Sequence, residues 1–308
     1  MISVVMAAKN YARFLPMAVR SVQTQTLTDW ELVIVDDGSS DATPQAVTPF
    51  LNDERIRYFR SDSLGQSRAK NLGVRLSRGE LVAFLDADDA WLPTKLERQL
   101  PLLKGNVGVV ACERILIDEN RIDLQSTDRK QEVNPLPSVG ALQKISRDDI
   151  FTRNPVCFSS VLVRNEVFDR VGGFDPDLDL SIDYDLWLRV AQHYDIVCLN
   201  EKLVLYRTGH GNLSKRQADR IATAFTIMHR RRDGVSESAL AAGYGSTHQS
   251  LAWMQRGAEP WSAMKSYAKS LAWPGHRMSS LKGMAGVLVN RLRGLAEPLS
   301  PENRSINC

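Results

Sequence analysis

Four consecutive residues, Asp86-Ala87-Asp88-Asp89, carry the clearest chemical signal in the sequence. They follow the apolar run Leu81–Leu85, which predicts a short buried strand. In an α/β sheet, ligands bind where strands end at their carboxyl edge. Several carboxylates placed there repel one another unless a hard cation such as Mg²⁺ or Mn²⁺ lies between them. The pattern therefore predicts a divalent-cation site. The alternative is an acidic turn that caps a helix beginning near Pro93.

A second acidic segment follows another predicted strand, Glu31–Asp36. Asp37 adds a second carboxylate directly after the strand's last residue, and a Gly-Ser turn comes next. Lys9 and Asn10 follow the first predicted strand of the chain. A turn with a helix cap accounts for the Gly-Ser pair, whereas the two adjacent carboxylates favour a binding role.

The elements that must position these residues alternate between strand and helix. The predicted strands are Ile2–Met6, Glu31–Asp36, Ile56–Arg60, Leu81–Leu85, Val107–Cys112, Ser160–Arg164 and Ile196–Leu199. The predicted helices are 13–25, Gln66–Leu76, Pro93–Leu103 and Tyr184–His193, with an irregular connection over 118–140 and further helices after Ser214. This β-α-β rhythm predicts an α/β fold with a doubly wound, mostly parallel sheet, and a mixed α+β fold is the alternative.

Composition restricts the class of protein. The chain has 308 residues, 43% hydrophobic and 24% charged, as expected for a globular protein. Its four cysteines show no C-x-x-C spacing, which favours a reducing compartment. We find no signal peptide and no apolar stretch of about 20 residues, so a cytoplasmic location is expected. A dehydrogenase or nucleotidyltransferase is excluded because no G-x-G-x-x-G and no Gly-rich phosphate loop with a Lys is present.

A set of motifs in one order along residues 1–214 resembles the inverting glycosyltransferases of family 2, which have the GT-A fold. The motifs are Ser3–Asn10, Gln25-Thr26, Glu31–Ser39, Gly65–Asn71, Phe84–Asp89, Gly172–Asp175 and Asp183–Arg189. Each motif alone is weakly specific, and the ordered set is strongly specific. The resemblance implies transfer of a sugar from a nucleotide-diphosphate donor, with Mn²⁺ or Mg²⁺ as cofactor.

The same resemblance implies a role for individual residues. A carboxylate in the acceptor cleft, Asp183, would be the catalytic base, and Asp88 and His210 would be metal ligands. The residues expected to bind the nucleotide-sugar are Ala7, Lys9, Asn10, Asp37, Lys70, Asp86 and Ala87. The implied donor is a UDP-sugar, and the implied acceptor is a hydroxyl of a cell-surface glycan or a lipid-linked glycan, as in polysaccharide biosynthesis. An N-cap for the following helix is the structural alternative for Asp183.

Several positions depart from the family pattern. Lys70 replaces the usual Arg, Ile182 replaces an acidic residue, and His210 lies one residue later than expected. Ala7 and Lys9 replace a Pro and a Tyr. Ile182 and the shifted His210 motivate a rival hypothesis, a catalytically weak protein of the same fold that binds nucleotide-sugars.

Residues 215–308 lie outside the resemblance and differ in charge. They contain 14 Lys/Arg and 6 Asp/Glu, a net charge of +8, whereas the preceding residues carry −5 of the chain's total of +3. We therefore expect a GT-A domain over 1–214 and a basic helical region over 215–308. Trp residues beside basic ones indicate a peripheral contact with the inner face of the cell membrane. The alternative is a helical bundle with a solvated basic face, and nucleic-acid binding is not expected.

Overall fold

A computed structural model describes residues 1–121, 124, 142–209, 216–273 and 275–292. Within these residues, nine strands form one sheet. The strands are β1 (Ile2–Ala8), β2 (Trp30–Asp36), β3 (Ile56–Arg60), β4 (Leu81–Phe84), β5 (Ala90–Trp91), β6 (Val107–Ile117), β7 (Gln143–Ile145), β8 (Leu162–Arg164) and β9 (Asp195–Arg207).

The strands lie in the order β3-β2-β1-β4-β8-β6-β9-β5, and β7 pairs with β9. The pairs among β1, β2, β3 and β4 are parallel. The strand β8 is antiparallel to both β4 and β6, whereas β6 and β9 are parallel. The sheet is therefore mixed: the first four strands form one parallel part, and β6 with β9 forms another parallel pair. The strands β1, β2 and β4 are mostly apolar and buried, as a parallel sheet covered on both faces requires, whereas the edge strand β3 is only partly buried.

The helices that connect these strands in the first half are α1 (Leu15–Gln23), α2 (Thr43–Val47), α3 (Gln66–Leu76) and α4 (Lys95–Gln99). The predicted helix α3 has the bounds expected from the sequence. The predicted helix Pro93–Leu103 is shorter, because β5 precedes it and a 3-10 turn over Leu100–Leu102 ends it. Three further helices are α5 (Arg147–Arg153), α6 (Glu166–Val171) and α7 (Ile182–Val190).

The C-terminal part is helical, as expected. Its helices are α8 (Gln217–Arg231), α9 (Glu237–Gln255), α10 (Pro260–Leu271) and α11 (Arg277–Leu292). The chain forms two compact units, one of Met1–Ile145 with Val156–Gly211 and one of Ser146–Pro155 with Asn212–Cys308. The short helix α5 thus groups with the C-terminal helices, which the sequence pattern did not indicate. None of the described helices combines the length and apolar character needed to cross a bilayer.

Candidate functional site

Three chain segments leave the parallel sheet at the same edge. The central strand β1 pairs with β2 on one side and with β4 on the other, both in parallel. In register, Ala8 lies beside Asp36 and Val5 lies beside Phe84. The residues after these three strands, which carry the predicted chemistry, therefore emerge side by side at the carboxyl edge, where open α/β sheets bind ligands.

Asp37 organises the loop that leads into α3. Its Oδ1 accepts hydrogen bonds from the Ser61 hydroxyl at 3.1 Å and from the Leu64 N–H at 2.5 Å, and its Oδ2 accepts one from the Gly65 N–H at 3.0 Å. Lys9 Nζ lies 4.0 Å from the same Oδ2. Since a carboxylate has about four lone-pair positions, Asp37 retains capacity for one further donor.

Gly38, which follows Asp37, is required for this loop arrangement. Its φ is +72°, and a Cβ at this position would lie 2.7 Å from the hydroxyl oxygen of Ser63 and 2.9 Å from its backbone nitrogen. Both the conformation and the close approach favour glycine. The turn after β2 is thus held against the loop that precedes α3.

Asn10 joins the segments that follow β1 and β2. It has a φ of 63°, its N–H donates to the Ser39 hydroxyl at 2.9 Å, and its Oδ1 accepts from the Ser40 N–H at 2.8 Å. Asp36, the last residue of β2, is fully buried and accepts hydrogen bonds from Tyr58 and Ser39. The hydrogen bonds of Asn10 therefore hold the two segments together, and those of Asp36 hold the second segment against the end of β2. In the sequence, Asn10 was identified by its position after the first strand.

The acidic segment after β4 forms a cluster of three carboxylates. Asp86, Asp88 and Asp89 each offer an oxygen, and these oxygens lie within 4.8 Å of one another. Asp86 and Asp88 are half-buried, whereas Asp89 is buried. Ala87 between them is also buried. Three oxygen ligands at this spacing match the chemistry of a hard divalent cation.

Asp89 is the anchor of this cluster. Its Oδ2 accepts a hydrogen bond from the Ser159 hydroxyl at 2.6 Å, and its Oδ1 accepts one from the Arg207 N–H at 2.8 Å. Ser159 Oγ also accepts from the Asp86 N–H at 3.1 Å, and Arg207 Nε donates to the Asp88 carbonyl at 2.8 Å. Two residues distant in sequence thus hold the backbone of the acidic segment in place.

Electrostatics support a cation at this cluster. Burial and the neighbouring Asp86 carboxylate raise the pKa of Asp88 to about 7. Burial, together with Asp88 and Asp86, raises the pKa of Asp89 well above its ordinary value. These shifts mean that the three negative charges are costly side by side, and a divalent cation relieves that cost. The residues present therefore fit Mg²⁺ or Mn²⁺.

Lys70 supplies a positive charge beside Asp86 of the cluster. It lies on α3 and is buried, and its Nζ is 3.1 Å from Asp86 Oδ1. The same ammonium group lies 3.7 Å from the centroid of the Phe158 ring, which is adjacent to Ser159. The turn over Phe158–Ser160 therefore supports both Lys70 and the carboxylates.

The segment Gly172–Phe174 connects α3 with α7. Asn71 on α3 donates to the Phe174 carbonyl and accepts from the Phe174 N–H, both at 2.8 Å. Arg189 on α7 donates to the carbonyls of Val171 and Gly173 at 2.6 and 2.7 Å. Arg189 is itself held by the fully buried Asp185, whose Oδ2 lies 2.9 Å from its Nε. This network fixes α7 relative to the helix that carries Lys70.

Asp183 lies in the first turn of α7 and is half-buried. The residue before the helix, Ser181, adopts a left-handed conformation, and the preceding loop is tied to α3 by Ser67, whose hydroxyl donates to the Leu178 carbonyl at 2.7 Å. Gln66 also donates to the Asp179 carbonyl. The predicted base is thus carried on an element bound to the start of α3.

The predicted site residues are distributed as follows. The structure brings Lys9 together with Asp37, and Lys70 together with Asp86. Ala7 lies near the end of β1 and is half-buried. His210 lies outside the described residues. Sequence reasoning did not identify the supporting residues Ser159, Arg207, Asn71 and Arg189; the last two belong to recognised motifs, which is the signal that could have found them.

Comparisons with known proteins agree with this geometry. Residues 3–171 match the model of a family described as glycosyl transferase family 2. An uncharacterized glycosyltransferase of Nostoc sp. is 31% identical over 263 residues, which cover 80% of this chain and 77% of the relative. The UDP-Glc:alpha-D-GlcNAc-diphosphoundecaprenol beta-1,3-glucosyltransferase WfgD of Escherichia coli is 26% identical over 233 residues, which cover 74% of this chain and 85% of WfgD.

Solved structures share the fold. The crystal structure of S. aureus TarS 1-349 has a TM-score of 0.62 and 15% identity, covering 95% of this chain and 91% of TarS 1-349. The mannosyltransferase PcManGT from Pyrobaculum calidifontis, solved with GDP-Man and Mn²⁺, has a TM-score of 0.62 and 17% identity. The match covers 96% of this chain and 87% of the PcManGT chain. These comparisons do not favour the rival hypothesis of a non-catalytic binding protein. The chain belongs to glycosyl transferase family 2, and it is a glycosyltransferase with the predicted GT-A fold.

Proposed function

We propose that this glycosyltransferase is metal-dependent and inverting, and that it moves a sugar from a UDP-sugar to a hydroxyl group of a cell-surface or lipid-linked glycan. The observation that carries the proposal is the cluster of Asp86, Asp88 and Asp89, with Lys70 Nζ 3.1 Å from Asp86. It lies beside the Asp37 loop at one sheet edge. We assign transfer to residues 1–214 and treat 215–308 as a separate basic helical region.

The donor's nucleotide would lie across the ends of β1 and β2. Asp37, with one lone-pair position beyond its three described hydrogen bonds, would accept an N–H of the nucleobase. Lys9 is half-exposed beside it and would contact the donor's phosphate side. Ala7, Asn10 and Ala87 would line the same cleft through backbone and small side-chain contacts.

The donor's diphosphate would lie over the end of β4. A divalent cation held by Asp88, with Asp86, would neutralise the charge that develops on the leaving diphosphate. Lys70 is buried, so its ammonium charge is weakly screened and acts on the same region. We assign His210 as a further metal ligand on its sequence position alone.

Asp183 would act as the general base. It would take the proton of the acceptor hydroxyl while that oxygen attacks the anomeric carbon. The bond between the anomeric carbon and the diphosphate oxygen breaks in the same step, and its electron pair leaves with the nucleoside diphosphate. Attack from the face opposite the leaving group inverts the anomeric configuration. The hydrogen bonds of Asn71 and Arg189 to the segment before α7 would keep Asp183 in position for this step.

The acceptor class is supported by one relative. WfgD is named for transfer from UDP-Glc to GlcNAc-diphosphoundecaprenol, so we propose a lipid-linked acceptor and polysaccharide biosynthesis here as well. We place the reaction in the cytoplasm, with a peripheral contact at the membrane. The buried, free thiols of Cys112, Cys157 and Cys198 support a reducing compartment.

Calorimetric binding of UDP, GDP, dTDP and CDP, with Mn²⁺ or with EDTA, tests the donor site. We expect one nucleotide, UDP, to bind in the presence of Mn²⁺ and to lose this binding in EDTA and in Asp88→Asn. The matched control is Asp169→Asn, an exposed acid on α6. Failure of all four nucleotides with metal present, or equal binding in EDTA, would overturn the metal-dependent donor site.

Transfer itself is tested by release of the nucleoside diphosphate in the presence of lipid-linked acceptors. We expect Asp183→Asn to retain the donor affinity of the wild type and to lose at least about a hundredfold in turnover, as removal of a general base does. An Asp183→Asn enzyme with unchanged turnover would exclude Asp183 as the base.

A further inference from the structure

The last described helix, α11, presents two opposite faces. Its inner face comprises Ser280, Gly283, Met284 and Val287, which are buried or half-buried. Its large exposed apolar side chains are Met278 (67% exposed), Leu281 (51%), Leu288 (44%) and Val289 (42%). They recur at the spacing of one helix face, and exposed Ala285 lies among them. We call these five residues the outer face of α11.

The inner face explains why the outer face points away from the bundle. Val287 packs in a cluster with Ala252, Ala263 and Tyr267. A side chain at Gly283 would overlap the Tyr267 ring, so glycine lets that ring approach. The Ser280 hydroxyl donates to Ser270 Oγ at 3.0 Å. The inner face of α11 therefore packs on the neighbouring helices, and the outer face stays exposed among the described residues.

Basic residues lie on both sides of the outer face. At about 100° per residue, the five outer-face residues span an arc of roughly 100°. On the same helical wheel Arg277 falls about 20° beyond one border of this arc and Lys282 about 20° beyond the other. Both are exposed. Long basic side chains beside an apolar stripe suit a helix that lies in a lipid interface, because the stems cover apolar surface while the charges reach the headgroups.

The neighbouring helix α10 carries the same kind of charge. Its exposed residues Trp261, Lys265 and Lys269 recur at the spacing of one face, and Trp261 is 61% exposed. Tryptophan beside lysine is typical of the membrane–water interface. Residues 260–292 contain five Lys/Arg and no Asp or Glu.

The positive charge of α10 and α11 indicates which kind of surface binds the outer face. A second copy of the same face would bring like charges together, which opposes association. An anionic lipid surface attracts the same Lys and Arg residues. We propose that the outer face of α11 is a lipid-docking surface, and that it lies in the plane of an anionic membrane with Arg277 and Lys282 at the phosphate level. The inference does not depend on the transfer reaction.

Vesicle flotation of the full chain, without donor or acceptor, tests this surface. One set of vesicles is phosphatidylcholine alone, and the other is two parts phosphatidylcholine to one part phosphatidylglycerol. The first variant, Leu281→Gln/Leu288→Gln, removes apolar contact, and its control Leu51→Gln/Leu100→Gln changes two exposed leucines elsewhere. The second variant, Arg277→Gln/Lys282→Gln, removes charge, and its control changes two exposed lysines, Lys104→Gln/Lys202→Gln.

We expect the wild type and both controls to float with the anionic vesicles and to remain unbound with phosphatidylcholine alone. For each α11 variant, partitioning into the anionic vesicles should fall about tenfold or more. The leucine variant loses apolar burial in the lipid, and the Arg277/Lys282 variant loses attraction to the anionic headgroups. All variants should keep the wild-type circular dichroism and melting temperature, since the altered side chains are exposed.

Three outcomes would overturn the proposal. In the first, the wild type stays unbound with anionic vesicles, which would mean that the outer face does not dock on lipid. In the second, each control loses as much as the variant it matches, which would mean that binding does not depend on α11. In the third, sedimentation velocity shows a dimer that only Leu281→Gln/Leu288→Gln dissociates, with no vesicle binding, which would assign the face to a second copy.

Discussion

The ammonium nitrogen of Lys70 lies 3.1 Å from Oδ1 of Asp86, a carboxylate that belongs to the same cluster as Asp88 and Asp89. Lys70 is therefore already a partner for one of the three negative charges. A divalent cation at this cluster would share Asp86 with Lys70, and the two positive charges would repel each other. In the proposed donor site, this ion pair would link the affinity for the cation to the affinity for the donor's phosphates.

From this linkage we expect Lys70→Met to have opposite effects on two ligands. Mn²⁺ alone should bind several-fold more tightly, because Asp86 is released and a nearby positive charge is lost. The nucleoside diphosphate should bind about tenfold more weakly, since one charge-assisted contact is removed. Lys70→Arg should have nearly the wild-type affinities for Mn²⁺ and for the nucleoside diphosphate. Lys104→Met, on the exposed surface, should change neither affinity. Calorimetry measures both constants, and a parallel loss of both affinities would contradict the linkage.

The Ser159 hydroxyl is expected to support the acidic cluster. In Ser159→Ala, Asp89 loses a donor at 2.6 Å and the Asp86 N–H loses its acceptor at 3.1 Å. Asp89 keeps the Arg207 N–H on Oδ1, but its buried Oδ2 loses this donor, and leaving a buried acceptor unsatisfied costs about 1–3 kcal/mol. We expect lower stability together with weaker Mn²⁺-dependent nucleotide binding.

A matched serine lies next to Ser159. Ser160 is equally buried, but its hydroxyl donates to the Cys157 carbonyl at 2.7 Å. Ser160→Ala should lower stability by a similar amount in urea unfolding and leave nucleotide binding unchanged. If the two variants weaken nucleotide binding equally, Ser159 has no specific role at the cluster.

The placement of the acidic segments at one sheet edge could be predicted from the sequence, and the reason is local. Asp37 and Asp86 lie directly after apolar strands, so strand ends and acidic residues coincide within a few positions. The parallel pairing of β1 with β2 and β4 then brings them to one edge. The bounds of α3 were predicted correctly because Gly65 precedes it and its sequence has helical periodicity.

The supporting residues could not be predicted in this way. Ser159 and Arg207 contact Asp89 from 70 and 118 positions away in the sequence. Ser159 lies in the turn before β8 and Arg207 ends β9, and the sequence pattern did not specify how these strands pair. Likewise β5 has only two residues and is defined by its pairing with β9. Contacts of this kind depend on tertiary packing, which overrides local preference.

Gly173 is expected to be necessary for the loop before α7. A Cβ at this position would overlap the Asn71 side chain, which is bonded to Phe174 on both its oxygen and its nitrogen. Gly173→Ala should cost about 1–3 kcal/mol of stability through overpacking. Because the shift reaches α7, we expect lower turnover with little change in the affinity for UDP. Gly286→Ala, where a Cβ meets open space, is the matched control. Equal losses of turnover and UDP affinity in Gly173→Ala would contradict a role confined to α7.

The stability of the compact unit formed by Met1–Ile145 and Val156–Gly211 should depend on pH through Asp53. Two hydrogen bonds from the Arg55 guanidinium, at 3.0 and 2.8 Å, lower the pKa of Asp53 from 3.8 to about 2. The ionised carboxylate therefore stabilises the folded state above about pH 3.8, and this contribution is lost as the pH falls through about 2. Both side chains are partly exposed, so we expect Asp53→Asn to cost only about 1 kcal/mol at neutral pH.

In urea unfolding, the difference in the free energy of unfolding between wild type and Asp53→Asn should shrink between about pH 6 and about pH 3. Asp62→Asn, at an exposed acid, should show no such change. A difference that stays constant or grows on acidification would show that the Asp53–Arg55 pair does not contribute through its charge.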